Sequence, residues 1–93
     1  MTVEVVLPGV LADLAGGERR LRVDPATPTV AGLLDALAAR HPVLERRIRD
    51  EAGALRRFVN VYVDGDDVRF SAGAQTPVHD GAVVQVLPSV AGG

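Results

Sequence analysis

The 93-residue chain contains no cysteine, no lysine and no tryptophan, and its only aromatic residues are Phe58, Tyr62 and Phe70. Without cysteine there is no disulfide, no thiolate metal site and no cysteine nucleophile. Without lysine, all ten basic residues are arginine, and no side-chain amine is present to accept an acyl group. Serine is scarce as well. Ser71 and Ser89 are the only two, neither has a base near it in sequence, and a nucleophilic triad is disfavoured. Apolar runs fall far short of the roughly 20 residues a membrane span needs. The opening MTVEVV has neither the basic start nor the cleavage site of a signal peptide, so the expectation is a cytoplasmic protein with no membrane partner. A net charge of −2 and so few aromatics argue against nucleic acid as the main partner.

What is present suits one small globular domain, since the length leaves no room for a second core. TVEVVLP alternates Val3, Val5 and Leu7 against polar neighbours, the period of a half-buried strand. After Gly16 and Gly17, ERRLRVD alternates again through Leu21 and Val23, and the two stretches read as a hairpin with a long loop. TPTVAGLLDALAARHP changes to helical spacing. Thr29 is the expected N-cap, Val30, Leu33, Leu34, Leu37 and Ala38 form one apolar stripe, and Pro42 is the stop. VLERRIRD adds a short helical turn through Leu44 and Ile48, followed by a loop over EAGALRR. FVNVYVDGDDVRF is the strongest strand signal, with an Asp64-Gly65 hairpin turn leading to a short strand through Val68 and Phe70. AVVQVLP is the last strand, stopped by Pro88. The order predicts an α+β domain over residues 1–88, a mixed sheet of four to five strands with one main helix packed across it.

Few interior residues suggest chemistry. His41 and His79 lack the clustered partners of a metal site and read as surface residues. DGDD has its glycine misplaced for a calcium loop and lacks the distal glutamate, and Gly16-Gly17 lacks the lysine and hydroxyl of a phosphate loop. No intrinsic catalytic residue and no metal site is expected. The arginines from Arg40 to Arg57 read as a solvated basic face, with docking to an acidic partner as the other reading. On the Phe58–Val63 strand, one side must face water. With the valines inside, Phe58 and Tyr62, joined by Leu87 and Pro88, form an exposed partner interface; the alternative puts the aromatics inside.

The end of the chain, LPSVAGG, is unusual. Two terminal glycines arise by chance in roughly one chain in two hundred. Beyond Pro88, residues 89–93 are expected to form a flexible tail reaching at most about 18 Å. Gly92 and Gly93, lacking Cβ atoms, fit a channel too narrow for other residues. A terminal carboxylate is an anion at neutral pH and a poor electrophile until another enzyme activates it.

With VAGG at Val90–Gly93, and with RFVNVYVDGDDVRFSAG and DGAVVQVLPSVAGG, the chain resembles the ubiquitin-like β-grasp sulfur carriers of the MoaD/ThiS family, most closely the CysO-type carriers of actinobacterial cysteine biosynthesis. The likeness spans the whole chain and is most specific from Arg57 onward. It implies a β-grasp fold and a protein co-substrate rather than an enzyme. Gly93 would be adenylated and converted to a thiocarboxylate, while Val90, Ala91 and Gly92 thread a partner's active site. The implied partners are an adenylating, sulfur-transferring enzyme of the ubiquitin-activating-like class that uses ATP and Mg, a pyridoxal-phosphate-dependent cysteine synthase, and a zinc metalloprotease that releases the product. Pyridoxal phosphate and zinc would belong to those partners, with no cofactor on this chain. The resemblance also admits the small subunit of molybdopterin synthase, working with its large subunit, or a carrier for thiamin or sulfur-containing secondary metabolites. Ubiquitin has a basic stretch before its Gly-Gly, whereas this tail is neutral and apolar, which counts against a protein modifier.

Overall fold

Alternating residues separate the two faces of the sheet. In the computed structural model, whose described residues are 1–88, β1 (Val3–Val6) buries Val3 and Val5, and β2 (Arg20–Val23) buries Leu21 and Val23 while Arg20 and Arg22 face solvent. In β3 (Val59–Val63) the three valines are buried, and Phe58 is exposed. The inside-valine reading of this strand is therefore the observed one. A two-residue β4 (Asp66–Asp67) and β5 (Val83–Pro88) complete a five-stranded sheet in the order β2-β1-β5-β3-β4. β5 runs parallel to β1 and antiparallel to β3, so the last strand occupies the middle of the sheet.

One face is covered by helix. In α2 (Val30–Arg40) Val30, Leu33, Leu34 and Leu37 are buried on the sheet side, and Thr29 caps the start, its Oγ1 accepting the Gly32 N–H at 3.0 Å. The Val30 N–H donates to the Thr76 carbonyl, and the Val78 N–H to that of Pro28, stitching this helix start to the segment that leads into β5. Pro42 ends α2 as read. It is also the first residue of α3 (Pro42–Ile48), where a missing N–H costs nothing, so the expected helical turn becomes two turns burying Leu44 and Ile48.

Two local readings need correction. The long β1–β2 loop contains α1 (Gly9–Ala12) and a 3₁₀ turn at Asp13–Ala15, which bury Leu11, Ala12 and Ala15. Both are too short to show a helical period in sequence. The expected strand through Val68 and Phe70 is instead a 3₁₀ turn. The Asp67 carboxylate accepts the Arg69 N–H at 2.8 Å, curling the chain so that Val68 enters the core and Phe70 stands 91% exposed. The last strand is the one read from AVVQVLP: β5 runs from Val83 to Pro88, with Pro88 opposite Val59.

Gly32 sits near the start of α2, where helix propensity favours alanine by up to about 1 kcal/mol. A Cβ there would overlap the Thr27 carbonyl oxygen and lie 2.8 Å from the Thr27 Cβ. Backbone cannot swing aside as a flexible side chain can, so overpacking outweighs propensity. Gly32→Ala is expected to destabilise the domain by about 1–3 kcal/mol, read as a lower denaturation midpoint in urea; a stabilised variant would refute the close approach.

Candidate functional site

Because β5 is central, its C-terminal end leaves from the middle of one end of the sheet, flanked by β3 on one side and by the chain following β1 on the other. Gly93, Gly92, Ala91 and Val90, the residues expected to carry and thread the reactive group, lie outside the described residues, as does the whole 89–93 tail. Pro88 is the last described position and is exposed.

The four expected interface residues divide. On the open face Leu87 lies opposite Asn60, placing it diagonally between Phe58 and Tyr62, within reach of both. Phe58 is 70% exposed at the start of β3, next to the end of β5. Tyr62, half-buried, lies four residues further along, about 14 Å away. It lines a cleft at the opposite end of the sheet rather than the tail's exit. Phe58 and Leu87 thus neighbour one another on the open face near the end of β5, where Pro88 is exposed as well, and Tyr62 links them to the other end of that face.

The start of β3 is held by a residue that sequence reasoning left unassigned. β4 pairs only with Tyr62 and Val63, leaving the first part of β3 as a sheet edge. The Arg69 guanidinium reaches back and donates through Nη2 to the carbonyls of Val59 at 2.9 Å and Arg57 at 3.2 Å. A cation laid along the strand occupies acceptors that another chain would otherwise pair with.

The arginine run does not behave as a single solvated face. Arg49 is turned inward, its side chain 11% exposed, donating from Nε to Glu45 Oε1 at 2.8 Å and from Nη2 to Asp35 Oδ1 at 2.7 Å. It thereby ties α3 to α2. Burial pulls its pKa down, but hydrogen bonds to Asp35 and Glu45, and their charges, more than offset this, so the net shift is upward. Arg40 and Arg56 donate to the carbonyls of Arg22 and Arg46, both at 2.7 Å. The error in the sequence reading is physical: periodicity marks Arg49 as polar but cannot say that two carboxylates on neighbouring helices will converge on it.

The opposite end of the sheet is acidic. A cleft of about 610 Å³ opens among Tyr62, Asp64, Asp66, Asp67, Phe70 and His79. His79 lies beside Asp64, its Nε2 2.7 Å from Oδ2, while its Nδ1 is 2.8 Å from the Asp80 carbonyl oxygen. Both ring nitrogens face acceptors, so both bonds form together only on the doubly protonated ring. The Asp80 carbonyl first, then the Asp64 carboxylate, raises the His79 pKa. The Val83 N–H, donating to Oδ1 at 2.9 Å, and then His79, lower that of Asp64. Asp64 and Gly65 both have positive φ, 49° and 90°, as the hairpin turn read from sequence requires. Among the described residues no group of three or more histidine, aspartate or glutamate side chains is placed to hold a metal ion. No helix among them is long and apolar enough to cross a membrane.

Known proteins share this fold. Residues 5–93 match the ThiS family. The chain is 39% identical over 95 positions to sulfur carrier protein CysO of Mycobacterium tuberculosis, covering 100% of both. It is 37% identical over 87 positions to small archaeal modifier protein 1 of Haloferax volcanii, covering 90% of this chain and 95% of that one. Its fold matches a chain of the Amycolatopsis orientalis BexX/CysO complex, a crystal structure, with a TM-score of 0.85 and 40% identity over 98% of this chain and 99% of that one. The mixed sheet with one main helix across it is the β-grasp fold shared with these proteins, and this chain belongs to the ThiS family.

Proposed function

We infer that this chain is a sulfur carrier, a small protein co-substrate that partner enzymes load and unload, and that its sulfur is destined for cysteine biosynthesis. The observation that carries the reading is the end-to-end match to a sulfur carrier protein, 39% identical with 100% of both chains covered. The family match also runs through to residue 93.

In this reading one oxygen of the Gly93 carboxylate attacks the α-phosphate of ATP on an adenylating enzyme, and pyrophosphate leaves. A sulfide-level sulfur supplied by a donor then attacks the acyl carbon of the adenylate, AMP leaves, and the chain ends in a thiocarboxylate. A cysteine synthase, whose own pyridoxal phosphate would supply an electrophilic three-carbon acceptor, would take up that sulfur. An acyl shift leaves cysteine joined to the tail, and a zinc metalloprotease hydrolyses the new bond. The chain's own part is to present the tail and to dock: Phe58, Leu87 and Pro88 at its base are the surface a loading partner meets, with Tyr62 extending it. Crystallisation of a 0.85 TM-score relative in a BexX/CysO complex supports work with partner proteins. A molybdopterin synthase large subunit is the other candidate acceptor of the sulfur.

The likeness to small archaeal modifier protein 1 supports a second reading, a protein tag. One experiment separates the two. With no cysteine in the chain, a mild thiol alkylator has no target until a thiocarboxylate is installed. After incubation with ATP, a sulfide donor and the adenylating enzyme, intact mass is expected to show one alkyl adduct, located at Gly93. Isopeptide conjugates to lysines of other proteins, without an adduct, would favour the tag.

A further inference from the structure

The geometry points to a ring of guanidinium groups around the base of the tail that docks on a carboxylate-rimmed recess at the mouth of the adenylating enzyme's channel. This rests on the carrier reading and adds to it the charge of the surface that the loading partner must present.

Three arginines gather at the sheet end where β5 finishes. Arg57 directly precedes exposed Phe58 and is itself exposed. Arg69 is drawn to the same place by its bonds to the Arg57 and Val59 carbonyls, and Val59 is the residue opposite Pro88. On the other flank the chain leaves β1 beyond Val6, and the Arg19 guanidinium lies against Gly9, so close that a Cβ there would sit 2.9 Å from Nη2. The Arg19 carbonyl accepts the Leu7 N–H at 2.8 Å, which holds that segment beside the end of β1. None of the three has a carboxylate oxygen within 4.0 Å among the described residues.

The contrast with the opposite end is sharp. Asp64, Asp66, Asp67 and Asp80 gather where β3 turns and β5 begins, and Asp24 lies beside Thr2 at the start of β1. The tail's exit thus carries three cations without a carboxylate partner among the described residues, beside Asp13 and Glu18 of the β1–β2 loop, while aspartates predominate at the far end of a chain of net charge −2. Charge separated along the strands orients an approaching partner and raises its capture rate, and salt weakens the effect.

Reach decides what the ring touches. The tail spans at most about 18 Å when extended. With Gly93 at the reacting phosphate, guanidiniums fixed at the base of the tail remain outside, at the channel mouth. ATP phosphates are therefore out of range, and the matching anions are Asp and Glu side chains on the partner's surface. Exposed Phe58, whose neighbours Arg57 and Val59 give their carbonyls to Arg69, supplies the apolar part of such a contact and the cations its rim.

The test uses the full chain and the adenylating enzyme of the same organism, following thiocarboxylate formation by alkylation and intact mass. Arg19→Glu/Arg57→Glu is expected to raise KM at least tenfold, change kcat less than twofold, and flatten the rise of KM with added NaCl that the unaltered chain shows. Arg69 is left in place because it braces β3, and Asp66→Asn at the far end is expected to leave KM unchanged. Thermal unfolding of each variant establishes that it is folded. A folded double variant with an unaltered KM and the same salt response would overturn the docking surface while leaving the carrier reading intact. Failure of the unaltered chain to load would instead overturn the carrier reading, and this inference with it.

Discussion

Adding one alanine after Gly93 is expected to reduce thiocarboxylate loading more than a hundredfold while leaving thermal unfolding unchanged. The reason is placement. One further residue displaces the carboxylate by up to about 3.5 Å along an extended chain. Reacting atoms must approach to roughly 3–3.5 Å in line, and an error of about 1 Å already costs on the order of a hundredfold. The added Cβ also enters a channel proposed to be sized for glycine. The domain itself has no stake in the change, because five residues separate the last described pairing, Val59 with Pro88, from the addition. Intact mass after alkylation gives the readout. Loading at the ordinary rate would mean that the partner does not read the position of the terminal carboxylate.

The second large effect concerns stability. Arg49→Ala removes the one cation that faces Glu45 among the described residues, Glu45 being 11% exposed at its side chain, and unties α3 from Asp35 on α2. Breaking a buried ion pair from one side typically costs about 3–5 kcal/mol, because the stranded charge is left without compensation. Asp35 is 71% exposed and can return to water, which puts the cost at the lower end, about 3 kcal/mol. For a domain of this size that is a fall of roughly 12–24 °C in Tm. Removing both charges avoids the penalty, so Glu45→Leu/Arg49→Met is expected to lie within about 1 kcal/mol of the original. Scanning calorimetry on the two variants distinguishes a stranded charge from lost packing; equal destabilisation would exclude it. Loading per folded molecule is expected to be unaffected, since the network lies between the helices and not on the open face of the sheet.

Different physical features made different parts of the molecule legible. Val59, Val61 and Val63 alternate in a run long enough to define a strand, and their burial followed. Thr29 and Pro42 carry local chemistry, a hydroxyl that caps and a ring without an N–H, and both bounded α2 where expected. Asp64-Gly65 carries the torsions of its turn within two residues. Local rules failed where the deciding partner lay elsewhere or the element was too short. Asp67 capping Arg69 diverted the expected strand at Val68, and α1 has only four residues in which to show a period.

The sequence by itself determined the types of the longer elements, the apolar stripe of the main helix, the family resemblance, and a chemistry without thiols or side-chain amines, because each is a property of composition or of neighbours a few residues apart. Only the tertiary structure decided that Arg49 goes inside, that Phe58 and Tyr62 serve opposite ends of one face, and that Arg19 on one flank and Arg57 and Arg69 on the other share the end of the sheet where β5 finishes. Those are encounters between residues far apart along the chain. They depend on β5 entering the middle of the sheet, which no local pattern of side chains encodes.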